Sequence, residues 1–343
     1  MQKTRKKTRP GQTDIAKTLG VSVSTVSRAL AGSPLIKDSV KQQVRDAAVK
    51  IGYRFKEAQD FEGFERIVVL TSLDAFRDTR SSMYNRLLEG IRTEASRYGG
   101  EFSITIAKSR TPIPEAIDKN LGPKSGCIFL GITPDAATAQ NLVDRGIPAI
   151  VCNGLDEELI LDSISPANYQ GAAIMARHLL ELGHKKFLYV AGTDRATLRL
   201  RYLGFEKYIE RHGDTSGTGI LSIFEEWADQ SEEKNERFKN WIKAERGNAT
   251  ALCCFNDGAA VWAIERLQSM GISVPDDISV VGFDDLPIAE ISDPELTTFH
   301  IDWTQIGLQT VQILHKRMIS PYSAPEIMQI SGKLVIRNSS IRV

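Results

Sequence analysis

Residues 12–32 read Gln12-Thr-Asp-Ile-Ala-Lys-Thr-Leu-Gly-Val-Ser-Val-Ser-Thr-Val-Ser-Arg-Ala-Leu-Ala-Gly32. Two short helical patterns are broken here by Gly-Val-Ser. Ile15, Ala16 and Leu19 share one apolar face, and Val23, Val26 and Leu30 are spaced for a second. Gly20 is placed to end the first helix, because a left-handed cap is unfavourable for a residue with a Cβ. Ser22 is placed to cap the second by accepting from its first free N–H groups. Two short helices across a tight glycine turn are the sequence form of a helix-turn-helix, whose second helix enters the DNA major groove.

The second helix carries Ser24, Thr25, Ser27 and Arg28 on its outer side. Hydroxyls bond phosphate oxygens and some base edges, and an arginine fork reaches guanine bidentately. Such a run of small hydroxyl residues forms helix poorly, so a purely structural helix has little reason to carry it. Charge points the same way. The chain as a whole is neutral, with 43 basic and 43 acidic residues, but 13 of the basic and only three of the acidic residues fall in 1–56. That is a net +10 on a small module and −10 on the rest, the balance of a nucleic-acid-binding head on an acidic body. Lys3, Arg5, Lys6, Lys7 and Arg9 form a basic arm before Pro10. Phosphate contacts of this kind make binding strongly salt-dependent.

Beyond the first two helices, Val40, Val44, Ala47, Ala48 and Ile51 set a third amphipathic helix over 37–51, closing a small all-α head. From Arg66 the pattern changes to short apolar runs: Ile67–Leu70, Phe102–Ile106, Cys127–Leu130, Ala149–Cys152, Lys186–Val190, Ile220–Phe224, Ala251–Phe255 and Ile278–Phe283. Helical patterns lie between them at 82–98, 135–145, 168–182, 196–212, 230–246 and 257–270. Alternation of this kind implies parallel sheets flanked by helices. The stretch is long for one sheet, so two α/β lobes with a ligand cleft between them are expected. The domains are therefore a helix-turn-helix head at 1–56, a linker at 57–65 and a two-lobed domain at 66–343.

Composition excludes several classes. No run reaches the about 18 apolar residues of a membrane span, and the basic N-terminal stretch is not followed by an apolar segment, so a cytoplasmic protein is expected. Cys127, Cys152, Cys253 and Cys254 lack metal spacing and read as buried thiols, and no metal or cofactor is expected. There is no glycine-rich phosphate loop, no nucleophile elbow and no clustered histidine, so an enzyme is not expected. Three polar places follow apolar runs, where ligands of open α/β sheets bind: Asn256-Asp257, Asp284-Asp285, and Arg199 with Arg201 early in a helix. Each has a plainer reading. Asp257 suits an N-cap, and Arg199 a surface ion pair.

Taken together, these residues resemble the LacI/GalR family of transcriptional regulators across almost the whole chain. The carrying motifs are Asp14 to Leu30, Gly52-Tyr53-Arg54, Leu182-Gly-His-Lys-Lys186, Asn256-Asp257, Ile278-Ser-Val-Val-Gly-Phe-Asp-Asp285 and Leu296-Thr297-Thr298. The resemblance implies a homodimer that binds double-stranded operator DNA, with a periplasmic-binding-protein-like core that senses a small molecule. It implies base reading by Val23, Ser24 and Arg28, and phosphate contacts by Thr25 and Ser27. It implies effector contacts from Arg201, three residues before Gly204, and from Asn256 and Asp284. Trp303 stands where the family often has an aromatic, and Trp227 is a further stacking candidate. The effector class it implies is a sugar or sugar derivative, with a purine or nucleoside as the alternative.

The sequence also departs from that family. Phe55-Lys56 replaces the usual Pro-Asn, and the hinge reads Ala58-Gln-Asp-Phe61, with Phe61 as the candidate minor-groove wedge. Glu57, Asp60 and Glu62 would then stand near phosphates, which is unfavourable. Ala167 replaces the family's acidic residue before Asn168, and the loop Thr71 to Ser82 is longer than the family's.

Overall fold

The computed structural model describes residues 11–30, 36–50, 63–72, 83–99, 101–107, 121–192, 195–214, 217–225, 231–321 and 323–343. The head consists of α1 (Gln12–Leu19), α2 (Val23–Leu30) and α3 (Asp38–Lys50). Ile15 and Ala16 of α1, Val26 and Ala29 of α2, and Val44, Ala47 and Ala48 of α3 are buried together. Gly20 has φ 67°, the left-handed cap expected of it, and Ser22 Oγ accepts from Thr25 N at 3.0 Å. Asp14 closes the start of α1 by accepting from Gly11 N at 2.8 Å.

The remainder is two α/β lobes. The first contains β1 (Arg66–Ser72), α4 (Met83–Arg97), β2 (Glu101–Ala107), β3 (Ser125–Leu130), α5 (Ala136–Asp144), β4 (Ala149–Cys152) and β5 (Asp162–Pro166). The chain then enters the second lobe as α6 (Asn168–Glu181), β6 (Lys186–Val190), α7 (Ala196–His212), β7 (Gly219–Phe224), α8 (Glu232–Glu245), β8 (Ala251–Cys254), α9 (Asp257–Ser269), β9 (Ser279–Asp284), α10 (Pro287–Ile291) and β10 (Thr297–His300). It returns to the first lobe with α11 (Trp303–Ile319) and β11 (Ile327–Ile330), then crosses again to β12 (Lys333–Val335). The sheet orders are β11-β5-β4-β3-β1-β2 and β12-β10-β9-β8-β6-β7. Pairing is parallel throughout except for β12 against β10. Three crossings therefore join the lobes, and two are tied directly by Ala167 N donating to Ile330 O at 2.9 Å.

The eight apolar runs all become strands, and the central ones, β3, β4, β8 and β9, are buried on both faces, which requires apolar residues on both sides. Four further strands were not expected. β5 is Asp-Ser-Ile-Ser-Pro, β10 is Thr-Thr-Phe-His, and β11 and β12 are short sheet-edge strands. None of these is an apolar run, and each is fixed by its neighbours rather than by its own pattern. The helix α11 also lay outside the expected set. All four cysteines are free and buried, and burial pushes the Cys127 and Cys152 thiols up to about 12. No described helix is long and apolar enough to cross a membrane.

Candidate functional site

The outer edge of α2 is the first candidate surface. Val26 and Ala29 turn inward, which leaves Ser24, Ser27 and Arg28 exposed and Thr25 half-buried. Val23 is 44% exposed, so it belongs to the edge rather than to the apolar seam. An exposed valine costs little and offers a contact for a thymine methyl. Ser22 Oγ lies 2.9 Å from Ser24 Oγ and 2.8 Å from Thr25 Oγ1, gathering three hydroxyls at the start of α2. Helix N-terminal N–H groups and hydroxyls together suit phosphate oxygens. Phe61, the wedge candidate, lies outside the described residues, as do 57–60 and 62 of the linker.

The second candidate site lies between the lobes, beyond the carboxyl ends of both sheets. A pocket of about 230 Å³ is lined from the first lobe by Thr133, Asn153 and Glu157, among others, and from the second by Arg195, Thr197 and Arg199. Two polar contacts span it. Arg195 Nη2 donates to Asn153 O at 2.8 Å, and Arg199 Nη2 donates to Glu157 Oε1 at 2.9 Å. Arg199 is thus an ion-pair residue, as its plainer reading had it, but the pair joins the lobes. Asp156 shapes the opposing loop by accepting from Glu158, Ile160 and Leu161 N–H groups.

Deeper in the second lobe, Arg201 is 4% exposed. Its Nε donates to Asn168 Oδ1 at 2.8 Å and its Nη1 to Phe255 O at 2.6 Å. Its Nη2 stands 3.1 Å from Asp284 Oδ1, and the guanidinium lies 3.8 Å from the Phe283 ring centre. Gly204 makes this possible: a Cβ there would fall 2.1 Å from Tyr169 O, so only glycine lets α7 approach α6 closely enough for Arg201 to reach Asn168. Burial lowers the Arg201 pKa, while the Asp284 charge opposes that shift. Burial raises Asp284 to about 6, with Arg201 holding it down. At 3.1 Å the two form a buried ion pair. Each charge is costly at this depth without the other.

Trp303 opens α11 and is buried, and its Nε1 lacks a partner among the described residues. Asn256 is the N-cap of α9, its Oδ1 accepting from Ala259 N at 2.8 Å. That corrects the expectation for Asp257, which lies one residue inside the helix and is wholly buried. Trp227 lies outside the described residues, as does most of the long loop after β1. The structure thus brings Arg201 and Asp284 into contact and leaves Asn256 partly committed to capping. Arg195, Thr197 and Asn168 went unnoticed in the sequence. The available signal was Arg195 and Thr197 at the start of the helix that carries Arg201, on the turn that faces a cleft in this kind of sheet. Among the described residues, no group of three or more His, Cys, Asp or Glu side chains could hold a metal ion.

Comparison with known proteins gives a consistent picture. A family model described as bacterial regulatory proteins, lacI family, matches residues 13–55, and one described as a periplasmic binding protein-like domain matches residues 176–340. The HTH-type transcriptional repressor PurR of Histophilus somni (strain 129Pt) is 26% identical over 342 residues, covering 95% of this chain and 97% of the relative. The repressor of the same name from Haemophilus influenzae (strain PittEE) is 26% identical over 348 residues, with the same coverage. Among solved structures, a complex of the transcriptional regulator CelR with cellobiose superposes with a TM-score of 0.66 at 20% identity, covering 96% of this chain and 100% of that one. The lac repressor dimer bound to operator and the anti-inducer ONPF superposes with a TM-score of 0.65 at 21% identity, covering 97% and 100%. These structures are similar in fold.

Proposed function

The chain belongs to the LacI family of DNA-binding transcriptional repressors, and we propose that it works as a homodimer whose operator affinity is set by a purine base or nucleoside in the interlobe cleft. The reading divides the chain into a DNA-binding head at 1–56, a linker at 57–65 and an effector-binding and dimerisation domain at 66–343. Val23, Ser24 and Arg28 read base edges, and Thr25 and Ser27 hold phosphates. Arg201 and Asp284 hold the effector, with Asn256, Trp303 and Arg195 around it. The observation that carries the effector site is the buried Arg201–Asp284 ion pair at the carboxyl end of β9.

The sugar first expected gives way to the purine alternative for two reasons. The relatives that match over 95% of the chain carry the name HTH-type transcriptional repressor PurR, which favours a purine. The chemistry agrees. A carboxylate accepts from ring N–H groups, and an arginine donates to exocyclic oxygen. A dimer fits a pseudo-palindromic operator, since two-fold symmetry sets the spacing of the two heads. The cytoplasm, where operator DNA lies, is the compartment this activity requires.

Isothermal calorimetry with hypoxanthine, guanine, ribose and cellobiose tests the effector. Saturating binding by a purine, with no heat from either sugar, is the expected result. Binding of a sugar without a purine would restore the sugar reading. Turnover of any of these compounds by pure protein would point to an enzyme instead.

A further inference from the structure

The turn that carries Asp284 is held in an unusual shape. Asp284 has φ 115° and Asp285 has φ 55°, two consecutive non-glycine residues in the left-handed region. Such a pair persists only where the surroundings over-determine it, and that pattern clusters at binding sites. Two sets of contacts hold it. On the outer side, Asp285 Oδ1 accepts from Arg337 Nη2 at 2.7 Å and Asp285 Oδ2 lies 2.9 Å from His300 Nδ1. On the inner side stands Asp257, wholly buried at the first turn of α9. Its Oδ2 accepts from Leu286 N at 2.7 Å, the first amide after the strained pair. Its Oδ1 accepts from the Thr298 hydroxyl on β10.

The strand beside it is adapted to this carboxyl group. A Cβ on Gly282 would fall 2.5 Å from Asp257 Oδ1, so β9 must lack a side chain there for the carboxyl to sit where it does. β10 in turn leads through His300 into the crossing that ends at Trp303. Asp257 therefore bonds at once to the turn that bears the effector carboxylate and to the strand that runs into the other lobe.

We propose that Asp257 is a positioning residue for effector binding: its hold on Leu286 N and the Thr298 hydroxyl sets where the Asp284 carboxylate stands. It touches no effector itself. The proposal rests on the reading that Asp284 binds the effector. Burial, and next the charge of Asp284, push the Asp257 carboxyl well above the ordinary carboxylate range. A carboxamide can hold the same two groups, its oxygen accepting from Leu286 N and its NH2 donating to Thr298 Oγ1 once that hydroxyl turns from donor to acceptor.

The full-length protein and its Asp257→Ala, Asp257→Asn and Thr298→Val variants test this in two readouts: hypoxanthine affinity by calorimetry and hydrogen exchange across residues 283–289. Asp257→Ala should weaken hypoxanthine about tenfold or more and speed Leu286 exchange by a similar factor, since a lost buried hydrogen bond is worth roughly that much. Asp257→Asn should stay within about threefold of wild type in both, because the Leu286 bond is kept and the Thr298 bond is remade with its direction reversed. Thr298→Val should fall between them and gives the answer if Asp257→Ala does not fold. Wild-type affinity and exchange in Asp257→Ala would overturn the proposal, as would an asparagine variant as impaired as the alanine one. If the unsubstituted protein binds no purine, the effector reading fails on its own, and the exchange at Leu286 still decides the role of Asp257.

Discussion

On α2, Ser24, Ser27 and Arg28 stand in solvent above a seam of buried Val26 and Ala29. Deeper in the second lobe, Arg201 is buried against Asn168, Phe255 and Phe283 and ion-paired with Asp284. Both places use arginine and small polar groups, yet the physical consequences are opposite. Solvent screens the α2 edge, so its side chains contribute little to folding and are free to specialise for a partner. The buried pair sits in low dielectric, where each charge is expensive alone and tolerable only with its partner. Binding and stability are separable in the first region and coupled in the second.

Arg201→Ala would break that coupling most severely. It leaves the Asp284 carboxylate buried without its cation, and loss of one member of a buried pair costs about 3–5 kcal/mol. Urea unfolding should show this as a lower midpoint, together with loss of purine binding. A midpoint unchanged from wild type would mean that the pair is not buried as described.

How much of this could be read from the chain differs between the regions for the same physical reason. The turn between α1 and α2 is set by adjacent residues: Gly20 adopts its left-handed cap and Ser22 caps α2 within a few positions. Such local chemistry is visible in a sequence. The buried cluster is assembled from residues 168, 201 and 284, on α6, α7 and β9, and residue 255 just after β8; their places after apolar runs offered Arg201 and Asp284 as candidates, and the resemblance gave both an effector role. The cap at Asn256 rather than Asp257 depends on whether the next carboxylate can reach Leu286, 29 residues on. Likewise β5 and β10 to β12 are too polar or too short to announce themselves, and become strands because sheet neighbours complete them. Arg195 lies at the mouth of the cleft because α7 begins there.

The α2 edge should give the converse result. Arg28→Ala should weaken operator binding by about 1–3 kcal/mol and relax specificity at one base pair, with the unfolding midpoint unchanged. A titration against operator variants at fixed salt measures both. If Arg28→Ala destabilised the head instead, the separation of binding from folding on α2 would be lost.

The bridge at the cleft mouth should sharpen the contrast with the smallest effect. Arg199 and Glu157 are both substantially exposed although they join the lobes. Arg199→Ala should therefore change stability by less than about 1 kcal/mol. The difference should fade toward 1 M salt, where the Debye length is about 3 Å. Equilibrium unfolding at low and high salt distinguishes this from a buried pair.

If the cleft controls the head, fluorescence anisotropy on labelled operator will register it. Wild type and Asp284→Asn would each be titrated with and without hypoxanthine. Hypoxanthine should shift operator affinity of the wild type by about tenfold or more, a coupling of about 1.4 kcal/mol. Asp284→Asn should still bind operator but lose most of the shift. An operator affinity indifferent to every purine, or a shift that survives intact in Asp284→Asn, would contradict control by the cleft.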